Sequence, residues 1–191
     1  MLLRYLANLL HIKRKKYGEI IAAFAGVGKS YVGEKYDKVL DLESTYYKWL
    51  EDGVVHLTEE ERKGNKNRVL NPKWPYNYIE EIIKQKDNYD IVLIQLSHPR
   101  LKNEQIFEFF DNNGIDYYVA RPNLSGWQYI ENRLKNRGNK EEFIAEVRAN
   151  FEIFIDEFSK PKYKQIIIKD NEFLEDELIE NGMLVEKDLI K

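Results

Sequence analysis

Ala23-Phe24-Ala25-Gly26-Val27-Gly28-Lys29-Ser30 is the stretch on which the fold of this chain turns. Residues 19–24 before it form a short apolar run suited to a buried strand, and residues 31–35 after it can continue as a helix. Strand, glycine loop and helix, in that order, is the setting in which such a loop binds phosphate. Gly26 and Gly28 let backbone N–H groups curl around phosphate oxygens, and the helix N-terminus adds its positive dipole end. Lys29 would place its ammonium between the bridging and transferable phosphates, while the Ser30 hydroxyl would ligate Mg²⁺. The strict pattern starts with glycine where this chain has Ala23, which asks only that a methyl be tolerated there. The competing reading is a glycine-rich turn followed by an incidental Lys-Ser pair.

Working outward, alternating strand and helix signals fill the rest of the 191 residues, enough for one domain with a substantial core. Strand candidates follow at residues 38–42, 89–96, 116–120 and 163–169, the third holding the unbroken run Ile91-Val92-Leu93-Ile94, expected beside the first strand. Helical periodicity occupies residues 76–86, 102–112, 127–137, 140–158 and 171–180, with Gly114 and Gly138 as stops. Residues 45–73, aromatic and then strongly charged, read as an insertion over the sheet edge. The expectation is a parallel five-stranded sheet with helices on both faces, its strand ends converging near Lys29.

A net charge of −3 argues against nonspecific nucleic-acid binding as the main activity, although local patches remain open. The absence of cysteine removes disulfides, thiolate zinc sites and thiol nucleophiles, which suits a cytoplasmic protein. His11, His56 and His98 make no metal spacing. Residues 1–12 are too short to span a bilayer, and their basic run, Lys13 to Lys16, follows the apolar part rather than preceding it as in a signal peptide. Leu2, Leu3, Leu6, Leu9 and Leu10 repeat at helical spacing. Residues 1–16 therefore read as a helix docked on the core, on a partner or on a second copy, with a membrane-surface helix and a frayed extension as alternatives.

The order of these features resembles the P-loop kinases of nucleosides, nucleotides and small metabolites, the adenylate, thymidylate and shikimate kinases among them. The loop, the stretch from Asn71 to Tyr78 and the arginines near Arg133 are also similar to small nucleotide-kinase-like proteins of bacteriophages. The resemblance implies a three-layer α/β/α P-loop NTPase fold over residues 19–191, after an N-terminal extension at 1–18, with an acceptor-binding insertion at 44–88 and a lid at 124–140. It implies ATP and Mg²⁺ as cofactors, with Ala25, Gly26, Val27, Gly28, Lys29, Ser30 and Tyr31 around the nucleotide and Arg121 near its adenine end or the lid. Asp41, at the end of the second strand, matches the acid that accepts the acceptor's proton or holds Mg²⁺, and Glu43 is its neighbouring alternative. Arg133 and Arg137, four apart on a helix, match the lid arginines that neutralise the transferred phosphoryl group, and Arg148 is a third candidate. Arg100 matches the clamp on an acceptor phosphate, with His98 beside it as a possible base. Tyr46, Tyr47, Trp49, Trp74, Tyr76 and Tyr78 fall where the family builds its acceptor pocket, Trp74 or a neighbour stacking on a base and Asn71 or Asn77 reading its edge. A hydrophobic cluster under the loop, a strand-end acid pair and a solvated arginine face are the plainer readings of the same residues.

The third strand departs from the family: it closes on Gln95, a neutral residue where a metal-holding acid is expected. The implied activity is phosphoryl transfer to a small acceptor, a nucleoside or deoxynucleoside monophosphate first. A nucleoside, a metabolite or a polynucleotide 5′ end are alternative acceptors, and a nucleotide-dependent regulatory NTPase is the alternative without one. No Asn-Lys-x-Asp guanine motif is present.

Overall fold

The computed structural model describes residues 18–50, 68–96 and 104–185. The expectations placed on residues 1–16, on His98 and on Arg100 lie outside them. The chain folds as an α/β structure with the five strands read from the sequence, all parallel, flanked by helices.

β1 (Glu19–Ala23) is the middle strand. On one side lie β5 (Ile91–Gln95) and then the edge strand β2 (Val39–Asp41), and on the other β6 (Tyr117–Pro122) and then β7 (Lys164–Ile168). Ile20 to Ala23 and Val92 to Leu93 are wholly inaccessible, which is why these runs do not alternate: both faces of a parallel sheet are covered. A short antiparallel hairpin, β3 (Trp49–Leu50) with β4 (Val69–Leu70), stands apart within the expected insertion.

The helices are α1 (Lys29–Lys35), α2 (Thr45–Lys48), α3 (Tyr76–Gln85), α4 (Glu104–Asn112), α5 (Trp127–Asn136), α6 (Glu141–Phe158) and α7 (Leu174–Glu180). α1 packs on β2, α6 on β6 and α5, and α7 on β7 and α1. Phe24, just past β1, meets the edges of Phe151 and Phe154 of α6 at 5.6 and 5.5 Å, so aromatic packing anchors the base of the glycine loop. Tyr36 at the end of α1 donates to Glu175 of α7 at 2.5 Å, and Lys35 pairs with the same carboxylate at 2.7 Å. No helix among the described residues is long and apolar enough to cross a membrane.

Register brings the strand ends together. Ala23 stands opposite both Gln95 and Ala120, and Asp41 stands opposite Leu93. The chain leaves β1 for one edge of the sheet and leaves β5 for the other half, so a crevice opens above their carboxyl ends.

Candidate functional site

The glycine loop occupies that crevice. Gly26 and Gly28 have φ of +79° and +103°, left-handed conformations that side chains resist. A Cβ on Gly28 would also reach 3.4 Å from the Phe173 ring. From Ala25 to Gly28, among the described residues, no backbone N–H is taken by a protein acceptor. The carbonyl side of the loop is held instead: Val27 C=O accepts from Leu174 N–H at 2.9 Å, and Val27 is fully buried. The β7–α7 turn thus holds the loop through a carbonyl and leaves its N–H groups out of that contact.

Lys29 opens α1, its ammonium donating to Ala23 C=O at 3.1 Å and Phe24 C=O at 3.4 Å. Burial pulls its pKa below the ordinary lysine value, Asp41 and then Glu43 oppose that fall, and Arg137 adds to it. Asp41 shows the converse. Burial raises its pKa, against the pull of Lys29 and of the nearby Ser30 hydroxyl. α1 and β2 come this close because residue 33 is glycine: a Cβ there would stand 2.8 Å from the Asp41 Cβ.

These groups line a cavity of about 400 Å³ bounded by the loop, the strand ends, Arg68 of the hairpin region and the α5–α6 turn. Ala25, Gly26, Lys29, Ser30, Asp41, Glu43, Gln95 and Arg137 all face it. Glu43 is partly committed to structure, accepting from the Thr45 N–H at 3.1 Å and hydroxyl at 2.6 Å at the start of α2. Gln95 receives the Ser44 hydroxyl on its Oε1 at 3.2 Å, so its amide NH₂, a donor that cannot ligate a cation, is the end left without a partner among the described residues.

Other expected residues sit elsewhere. Tyr31 points into solvent, 55% exposed. Arg121 is buried on β6 and donates through Nε and a terminal nitrogen to Gln165 Oε1 at 3.1 and 2.6 Å, and through the other to Pro122 C=O. Arg133 shares a helix face with Arg137 but not its surroundings. Its guanidinium lies 3.9 Å from the centre of the Phe173 ring and donates to Glu172 C=O at 2.7 Å, bracing the turn behind Gly28. Arg148 lies over Trp127 and pairs with Glu152.

The aromatic residues flanking the insertion pack mainly on each other. Trp74, 3% exposed, stacks on Tyr78 at 5.5 Å, and Tyr47 meets Tyr78 at 5.3 Å. Trp74 is absent from the cavity wall because burying its large ring against Tyr78 satisfies it without a ligand. Asn71 and Asn77 both spend their amide N–H on Tyr47 C=O, at 3.0 and 2.8 Å. Tyr46 and Tyr76 stand out in solvent.

The α5–α6 turn falls at the end of the lid expected at 124–140, but sequence does not single out Asn139, Lys140 or Phe143 as site residues: they complete the cavity, and the buried Asn139 Oδ1 has no hydrogen-bond partner among the described residues. Gly138, at φ +79°, marks that turn in the sequence, but nothing local aims it at the loop. A second acidic group, Glu172, Glu177 and Glu180, has its oxygens within 4.8 Å of one another. Lys169 already sits among them, pairing with Glu180 and lying 3.6 and 3.5 Å from Glu172 and Glu177.

Compared with family models and with curated proteins, the chain matches none.

Proposed function

We propose that the protein is an ATP- and Mg²⁺-dependent phosphotransferase whose acceptor is a small molecule, a nucleoside or deoxynucleoside monophosphate in the first instance. The observation that carries this reading is the row of N–H groups from Ala25 to Gly28 with no acceptor among the described residues, beside a cavity that Ala25 and Gly26 line together with Lys29, Ser30, Asp41 and Arg137. A polyphosphate needs converging donors and positive charge, and a hard divalent cation needs oxygen ligands. Both sets are here, side by side, in a loop whose two glycines take left-handed φ values that side chains resist.

In this reading the N–H row and the Lys29 ammonium hold phosphate oxygens, and the Ser30 hydroxyl with the Asp41 carboxylate holds Mg²⁺. The metal supplies charge neutralisation on the phosphates when bound. Arg137, for which no ion pair is found among the described residues, offers its guanidinium to the transferred group. The acceptor lies toward Glu43, Arg68 and Lys140, two cations suited to its phosphate, with Asn139 Oδ1 able to take an N–H or O–H from it. Asp41 accepts a proton where the acceptor is a hydroxyl and serves as metal ligand where it is a phosphate.

One observation favours a second reading, a nucleotide-dependent regulatory NTPase: Gln95 presents a donor where a metal-holding acid would close the third strand. Labelled ATP offered to a panel of nucleotides, nucleosides and sugars separates the two. Transfer to one acceptor, reduced about 10²-fold or more in Lys29→Ala through loss of the charge matched to the phosphates, supports the kinase. Hydrolysis without any phosphorylated acceptor supports the regulator. A wild-type protein whose Tm is not raised by Mg·ATP refutes both, since a ligand bound only by the folded state stabilises it.

A further inference from the structure

Tyr78, on α3, is not part of the cavity wall, yet its hydroxyl reaches the backbone of two strands that are. It donates to Leu42 C=O, one residue past β2, at 2.6 Å, and the backbone N–H of Gln95, the last residue of β5, lies near enough to pull against the rise in its pKa. The regular ladder between these strands stops just before this point: Leu42 N–H bonds Leu93 C=O at 2.9 Å, and the phenol takes the place where the next rung would be. A second tie joins the same segments, the Ser44 hydroxyl to Gln95 Oε1. The ring is held on both sides, by Trp74 and by Tyr47, and Tyr47 is itself fixed through Asn71 and Asn77.

Three of the cavity's polar groups depend on that junction. Asp41 and Glu43 flank Leu42, and Gln95 is the residue whose backbone N–H lies beside the phenol. A strand end without a rung would fray, and fraying here would alter the spacing between the carboxylates and Gln95. We propose that Tyr78 is a positioning residue for the phosphoryl-transfer site, splicing the ends of β2 and β5 so that Asp41, Glu43 and Gln95 stand at fixed separation across the cavity. The proposal rests on the kinase reading for its chemistry and on the hydroxyl alone for its mechanism. Burial, with Glu43 and Asp41 nearby, raises the phenol's pKa well above the ordinary tyrosine value, so the hydroxyl keeps its proton and its donor role throughout the working pH range. The aromatic cluster that reads from sequence as a stacking surface for a base is, on this account, the pedestal for that hydroxyl.

The test is Tyr78→Phe, which keeps the ring and its stacking and deletes only the oxygen. Ile82→Val, one turn along the same helix and fully buried, controls for ordinary packing loss. Hydrogen exchange followed residue by residue is expected to quicken at least tenfold at the Gln95 amide in Tyr78→Phe, beyond any change at Ile20 to Ala22, with no such local effect in Ile82→Val. With the best acceptor, kcat is expected to fall about tenfold and the Mg²⁺ needed for half-maximal rate to rise, while KM for ATP stays within twofold because the glycine loop is untouched. Unchanged exchange at Gln95 overturns the splice whether or not the wild type transfers phosphate. Quickened exchange with kcat and Mg²⁺ requirement unchanged overturns the positioning role. A wild type that transfers no phosphate sinks the kinase reading, and the Mg²⁺ dependence of nucleotide binding then replaces kcat: a raised requirement in Tyr78→Phe sustains the role, an unchanged one overturns it.

Discussion

Gly33→Ala is expected to destabilise this protein, although an exposed glycine inside a helix ordinarily gains from the change. Alanine in place of glycine there relieves about 0.5–1 kcal/mol of backbone entropy cost. At position 33 the added methyl carbon would stand 2.8 Å from Asp41 Cβ and 3.1 Å from Asp41 N. Carbon atoms rest at about 3.5–4.0 Å, so α1 and β2 must part by roughly 0.7–1.2 Å. Overpacking of that size costs about 1–3 kcal/mol, leaving a net loss of about 0.5–2 kcal/mol. The displacement has a direction: α1 carries Lys29 and Ser30 at its start, and β2 carries Asp41 at its end, so the Ser30 hydroxyl and the Asp41 carboxylate are drawn apart across the cavity. Urea unfolding without ligand reads the stability, and a Mg²⁺ titration at fixed nucleotide analogue reads the site. Stabilisation by about 0.5–1 kcal/mol, the behaviour of a helical glycine with free space around it, would refute the close approach of α1 to β2 and with it the pairing of Ser30 and Asp41.

Two further substitutions test the electrostatics. Asp41→Asn is expected to raise Tm at pH 7 while weakening Mg²⁺-dependent nucleotide binding. The folded protein holds the Asp41 pKa above its ordinary 3.8, so ionisation there works against folding as pH rises; the advantage of Asn should vanish below about pH 4, and a variant less stable than wild type at pH 7 would contradict it. Lys169→Met leaves Glu172, Glu177 and Glu180 facing one another, Glu177 being only 4% exposed. A loss of stability at pH 7 is expected, falling toward zero near pH 4 as the carboxylates protonate, and an equal loss at both pH values would count against Lys169 as their counter-ion.

Much of the fold was legible because its causes are local. The central strands β1 and β5 betray themselves as unbroken apolar runs, Ile20 to Ala23 and Ile91 to Ile94, because every residue in those runs is buried. The loop betrays itself through glycines at the left-handed positions 26 and 28, and Gly114 and Gly138 end helices for the same reason. The β3–β4 hairpin, two residues a strand, is too short to show a period. The candidate site was only half legible. Arg133 and Arg137 carry the same helical spacing, yet one braces Phe173 and the other faces the cavity. Trp74 reads alike whether it stacks on a base or on Tyr78, and Arg121 reads as a ligand contact although its partners are Gln165 and Pro122.

The sequence by itself determined that a parallel sheet is buried on both faces and that a glycine loop leads from its first strand into a helix. Backbone conformation and apolar periodicity are properties of neighbouring residues, so they are written in order along the chain. Only the tertiary structure decided that Ser30 meets Asp41, that Arg137 rather than Arg133 faces Lys29, and that Tyr78 spans two strand ends. Those meetings depend on register between segments up to about 110 residues apart, which the packed core fixes by burying Phe24 against α6 and Gly33 against β2.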